Sequence, residues 1–184
     1  MKRTVSDGVL NFLNFSGADV NDFFITKAGG NLTVNANDVG LAGAVNVSGN
    51  TLTLDASGNI TGASNLVTAN KLVIAGGGST VGTLDTTVSE LELTQAGSAT
   101  ISNTGDIALD TANISGAVVV NVNAGSDISV NNTVDVGTAG SLTLNAGDAS
   151  SIITIGAAIT GDDATLTLNS DNININATVD TTTT

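Results

Sequence analysis

Few residues in this chain could make or break bonds. The 184 residues contain no His and no Cys. Ser-His-Asp and Cys-His pairs, zinc sites and disulfides are therefore excluded. The bases are Lys2, Arg3, Lys27 and Lys71, scattered apart from the adjacent first pair. Polysaccharide cleavage can use a lysine or paired acids, which singles out Lys27 and Lys71 as the residues such an activity would need. Glu90 and Glu92 are two apart and share one side of a strand, which describes a solvated face rather than a catalytic pair. Gly76-Gly77-Gly78-Ser79-Thr80 lacks the lysine of a phosphate loop and reads as a corner. Asp148, Asp162 and Asp163 could join a calcium site, but no glycine-rich nonapeptide calcium repeat accompanies them, so they read as turn acids. The expectation is a non-enzymatic chain without catalytic, metal or cofactor-binding residues.

What remains is a scaffold. Hydrophobic residues make up 41% and charged ones 11%, the reverse of a disordered composition. Val and Thr favour strands, and no apolar stripe recurs at helical spacing, so the chain reads as all-β. A net charge of −13 disfavours nucleic acid and anionic membranes as partners and favours solubility. No run approaches the roughly 20 apolar residues of a membrane span, and Met1-Lys2-Arg3 has no apolar run behind it as a signal peptide would.

One phrase is rewritten throughout: Leu142-Thr143-Leu144-Asn145-Ala146-Gly147. Copies begin at Leu13, Leu32, Leu52, Leu72, Leu91, Val120, Leu142 and Leu166. A strand-like repeat of this length predicts a parallel β-solenoid of about eight coils, 19–24 residues each with one longer, stacked over roughly 38 Å. The domain reading is an opening segment at 1–12, solenoid repeats at 13–180 and a Thr-rich tail at 181–184. The 29-residue step from Leu91 to Val120 predicts an insertion around Ser102–Ser115.

Alternation sends the first and third residues of each copy inward. The predicted inward ladder runs Leu32, Leu52, Leu72, Leu91, Val120, Leu142, Leu166, with Leu13/Phe15 at its start. The outward column includes Thr33, Thr53, Thr143 and Thr167. Asn or Asp follows in five of the eight copies, namely Asn35, Asp55, Asn123, Asn145 and Asn169, a structural column able to form a stacked amide ladder. The four Phe, at 12, 15, 23 and 24, cluster at the start; Phe12, Phe15, Phe23 and Phe24 either widen the first coil or contact another chain or domain.

The repeats resemble those of filamentous haemagglutinin-type exoproteins, the two-partner secretion adhesins of Gram-negative bacteria. Leu142–Gly147, Val120–Gly125, Leu32–Asn37, Gly58-Asn59-Ile60-Thr61-Gly62 and Ile155–Gly161 carry the resemblance, which covers about residues 9–180. It implies a right-handed parallel β-helix, export to the cell surface, and adhesion or fibre formation. The family's secretion domain carries Asn-Pro motifs, and this chain has no proline, so the resemblance is to the repeat region alone. The expected function is a structural or adhesive section of an extracellular bacterial surface fibre. Partners would be neighbouring coils, further copies stacked end to end, or a host or surface ligand. The alternatives are an end-to-end filament subunit and a solenoid that binds ice, through the outward threonines, or carbohydrate.

Overall fold

Every step of the backbone ladder runs along one axis. In the computed structural model, which describes residues 8–11, 19–20, 30–41, 43–62, 66–76 and 80–182, all strand pairings are parallel. The described residues hold no helix, and the sheet stacks in about seven turns, a parallel β-solenoid. The seven steps from Leu32 to Ile175 span roughly 34 Å at the usual strand spacing.

Four of the inward columns outline the cross-section. The first is Leu32, Leu52, Leu72, Leu91, Leu109, Val130, Ile155, Ile175, each paired with the next. The second is Val34, Leu54, Ile74, Leu93, Ala112, Val134, Ile159, Val179. The third is Val39, Ile60, Val81, Ala99, Val118, Leu142, Leu166. The fourth is Val45, Val67, Thr86, Asn103, Val122, Ala146. Nearly all of these side chains are buried within one continuous core. Each Leu or Ile removed from water adds about 1.5–3 kcal/mol, and a lone coil could not bury its own, so neighbours stabilise one another.

Corners are set locally. At Gly76 the backbone sits at φ 108°, and a Cβ there would lie 1.9 Å from the Ala56 carbonyl oxygen of the coil below, so only glycine fits. The run read as a glycine corner is one, as far as Gly76; residues 77–79 lie outside the described residues. Asx side chains tie corners of successive coils together. Asn31 Oδ1 accepts the Thr51 N–H, Asp106 Oδ1 that of Asp127, and Asp127 Oδ1 that of Ile152. Each satisfies a backbone donor that the turn leaves without a ladder partner.

Two expectations are corrected by the register. Leu91 does not stack on Val120. Its next rung is Leu109, while Val120 lies between Ile101 and Leu144 on a different sheet. The 29-residue coil therefore does not exist, and Ser102–Ser115 is no insertion: it holds the end of Ala99–Asn103 and all of Ile107–Ile114, both in the ladder. Steps along the first column are 18 to 25 residues. The copies before and after this point are alike in sequence because any half-buried strand needs the same alternation, whichever sheet it joins.

Gly8–Asn11 pairs with Leu32–Asn35, so ladder pairing already occurs within the stretch read as an opening segment, and Gly8, not Leu13, is the rung beneath Leu32. Leu13, Phe12, Phe15, Phe23 and Phe24 lie outside the described residues.

Candidate functional site

The cross-section changes midway along the solenoid, and the chain's polar chemistry gathers there. In the early coils the first and second columns are two residues apart on one straight strand, as in Leu72 and Ile74 or Leu91 and Leu93. They then separate to three residues at Leu109 and Ala112 and to four at Val130 and Val134, Ile155 and Ile159, and Ile175 and Val179. The third and fourth columns do the opposite. They are six apart at Val39 and Val45, seven at Ile60 and Val67, five at Val81 and Thr86, and four at Ala99 and Asn103 and afterwards. One corner closes while another opens. The closing corner ends as a bulge at Gly82, the extra residue between Val81 and Thr83. The opening corner begins where Asp110 and Thr111 oppose the single residue Glu92.

An ionic stitch spans the opening corner. Lys71 Nζ donates to Asp110 Oδ2 and lies 2.8 Å from Glu92 Oε2 and 4.0 Å from Glu90 Oε2. The amide of Asn132, one coil further, donates to Asp110 Oδ1. Lys71 and Glu90 are register partners, and Asp110 lies next to Leu109, whose rung partner is Leu91. Four successive coils are thus joined at one place. Lys71 and its partners Glu92 and Asp110 are each 20–29% exposed. Among the described residues Lys71 is the one basic side chain.

The electrostatics are those of a clamp. Hydrogen bonds to Asp110 and then Glu92 hold the Lys71 ammonium well above the ordinary lysine value. Hydrogen bonds from Lys71 and then Asn132 hold the Asp110 carboxyl below the ordinary carboxylate range. A lysine serving as general base needs its value lowered toward neutrality, so this shift runs opposite to that chemistry. Lys27, the other candidate, lies outside the described residues. Glu90 and Glu92 do face one side, as expected, and that side holds the lysine.

A second polar knot occupies the interior at the same level. Asn103 is only 3% exposed. Its Oδ1 accepts Thr86 Oγ1 and the Val88 N–H, both at 2.9 Å, and its Nδ2 donates to the carbonyls of Val88 (3.1 Å) and Gly105 (3.0 Å). A buried amide with its hydrogen bonds filled fixes geometry without the cost of an orphaned group. Thr86 and Asn103 take the place of Val67 and Val45 in an otherwise apolar column. Sequence reasoning missed both; the signal is the alternation Ala99, Ile101, Asn103, which carries an Asn inward.

The predicted ladder residues are distributed as follows. Leu32, Leu52, Leu72 and Leu91 share one column, fully buried. Leu142 and Leu166 share another, below which lies Val118 rather than Val120. Asn35 and Asp55 are rung partners, and Asn35 Oδ1 is buried without a partner among the described residues. Asn145 and Asn169 form the expected amide ladder: Asn169 Nδ2 donates to Asn145 Oδ1 at 2.6 Å, and Asn145 Nδ2 to Asn121 Oδ1 at 2.7 Å. Asn121 takes the place expected for Asn123, because the register is shifted by two. Asn123 instead accepts the Gly105 N–H and the Ser126 hydroxyl in a corner. Thr33 pairs with Thr53 on one sheet and Thr143 with Thr167 on another, so the four threonines are not one column.

Asp148 caps its own turn, accepting the hydroxyls of Ser150 and Ser151, which lowers its carboxyl value. Among the described residues no group of three or more His, Cys, Asp or Glu is arranged to hold a metal ion, and no helix is long and apolar enough to cross a membrane. Comparison of the chain with family models, curated proteins and solved structures finds no match.

Proposed function

We propose that this chain is a structural section of a bacterial surface fibre, exported and adhesive through its length rather than through a pocket. The observation that supports the reading is the continuity of the first column, which runs without a break from Leu32 to Ile175 through a change of cross-section. The candidate site serves the same end, since its lysine clamps coils together and is held in the form unsuited to proton abstraction. The acidic surface keeps such rods apart laterally while axial pairing holds each rod together. The motif resemblance to haemagglutinin-type repeats supports the surface location.

Antibody raised against the purified chain, applied to intact and to lysed cells of the producing bacterium, tests this reading. Labelling of unbroken cells along thin projections is expected. Antigen reached only after lysis would overturn it.

A further inference from the structure

The rod has a waist on one flank. From the fourth column to the first, the step is seven residues at Val45 to Leu52, five at Val67 to Leu72 and five at Thr86 to Leu91. It then widens to six at Asn103 to Leu109 and eight at Val122 to Val130. Two neighbouring coils therefore cut this corner short, and longer corners overhang them on both sides. On one side Ser48-Gly49-Asn50 opposes the single residue Asn70, turned by Gly49 at φ 76°. On the other stands Thr104-Gly105-Asp106, turned by Gly105 at φ 97°. Between them lies an open trough of about 440 Å³. Its floor is nearly sealed, with Ala69 7% and Val88 4% exposed. Its walls carry the Asn70 amide and the hydroxyls of Thr87, Ser89 and Thr104, all exposed. Among the described residues these four side chains bond no other protein group, whereas Ser48 Oγ donates to Asn46 Oδ1.

We infer that this trough binds a neutral glycan strand laid across the rod. The trough offers no backbone edge to a peptide. The Asn70 carbonyl accepts the Ser89 N–H, the Ser89 carbonyl that of Ala108, and the Thr86 carbonyl that of Thr104, so an added strand finds no partners. The sealed floor leaves no hole for an apolar anchor, which a docked protein would need. The net charge of −13 and the Asp106 carboxylate on the rim repel phosphate, sulfate and uronate chains. What the walls supply is uncharged donors and acceptors, one hydroxyl or amide after another, with their bonding capacity unspent. Those groups match the hydroxyls of a sugar chain, and the small apolar floor suits the C–H face of a ring. With no Trp or Tyr to stack on, one trough holds its ligand weakly, with a Kd of about 1 mM. Many fibres on one cell would add avidity. The trough is an open crossing on the flank rather than an enclosed pocket. It rests on the proposed surface role only for where the glycan is met.

The full chain, isotopically labelled and followed by NMR, is titrated with cellotriose, maltotriose and N-acetylchitotriose as neutral probes. At least one is expected to shift the amide signals of Asn70, Thr87, Ser89 and Thr104 together, with a midpoint of about 1 mM. Trigalacturonate, the anionic probe, is expected to shift none of them. The double variant Asn70→Ala with Ser89→Ala removes two groups that bond no other part of the protein, so the fold is kept. It is expected to weaken binding about fivefold or more. Asn113→Ala, exposed at a different corner, is expected to leave binding unchanged. No shift with any neutral probe at about tenfold higher concentration overturns the site. Trigalacturonate binding as well as the neutral sugars overturns the choice of ligand. An effect of Asn113→Ala as large as that of the double variant overturns the placement. Labelling of intact cells is a separate result: its failure removes the surface fibre and leaves the binding measured on the purified chain.

Discussion

The coil holding Leu52 and Leu54 and the coil holding Val130 and Val134 enclose the same kind of apolar column but fold their perimeters at different places. In the first, the two inward residues stand on one straight strand, and the third and fourth columns stand far apart in sequence, as Ile60 and Val67 do. In the second, the corner has moved between Val130 and Val134, and Leu142 to Ala146 has become the straight face. The difference teaches that the columns and the corners are under separate control. Columns follow from the rung-by-rung match of apolar side chains, which tolerates either plan. Corners follow from local chemistry, and changing plan takes a bulge, an added residue and polar bonds that hold the new bend.

The comparison breaks most readily at Asn103. Replacing it with Ala leaves the Thr86 hydroxyl and both Val88 backbone groups without their partner inside the core. A loss of roughly 2–4 kcal/mol is expected by urea denaturation, since stranded buried groups cost more than the bond itself is worth. The equivalent change at Asn145, in the outward amide column of the late plan, is expected to cost only about 0.5–1 kcal/mol. Equal costs would mean that the junction is no more dependent on its amide than a regular coil is.

Lys71→Met sharpens the comparison electrostatically. The cluster is partly exposed, so a loss of about 1 kcal/mol is expected, shrinking toward zero in molar salt. The pH dependence has a definite sign. Lys71 is raised in the fold, so its contribution is complete below the ordinary lysine value of 10.5 and is lost as pH climbs through the higher folded value. Asp110 is lowered, so its contribution is complete above the ordinary value of 3.8 and is lost as pH falls through the lower folded value. The difference between wild type and Lys71→Met should therefore be flat between about pH 5 and 9 and narrow outside it. A difference that changed steadily through neutrality would place the clamp elsewhere.

The smallest effect concerns the late plan alone. Ala139 and Asp163 lie at φ 55° and 53° in successive corners that precede Ser141 and Thr165. An L side chain there costs about 1 kcal/mol, which glycine avoids. Ala139→Gly is expected to raise the midpoint of thermal unfolding by a few degrees. A lowered midpoint would mean that the methyl group is needed for packing.

Much of this was legible in the residues. Alternation placed Leu32, Leu52, Leu72 and Leu91 inward and in register, and the Asn145–Asn169 ladder could be foreseen because both copies sit in the same plan. The failure came at Leu91 to Val120. A copy of the phrase reports that a strand is half-buried but not which sheet it joins, because sheet identity depends on the perimeter accumulated since the previous rung. Each residue gained or lost at a corner shifts that count, as Gly82 and Asp110–Thr111 do. The stitch was hidden for the same reason. Lys71 and Asp110 are 39 residues apart, and only the register brings them together.

The amide column has a consequence of a different kind. Asn169 donates to Asn145, Asn145 to Asn121, and Asn121 to the Ile101 carbonyl, every bond pointing the same way. Aligned amide dipoles polarise one another and sum along their row, as peptide dipoles do in a helix. The rod therefore carries an electrical direction on this flank. Asn169 presents its acceptor oxygen at one extremity, and a main-chain carbonyl absorbs the last donor at the other. The two ends of this amide row thus differ in sign.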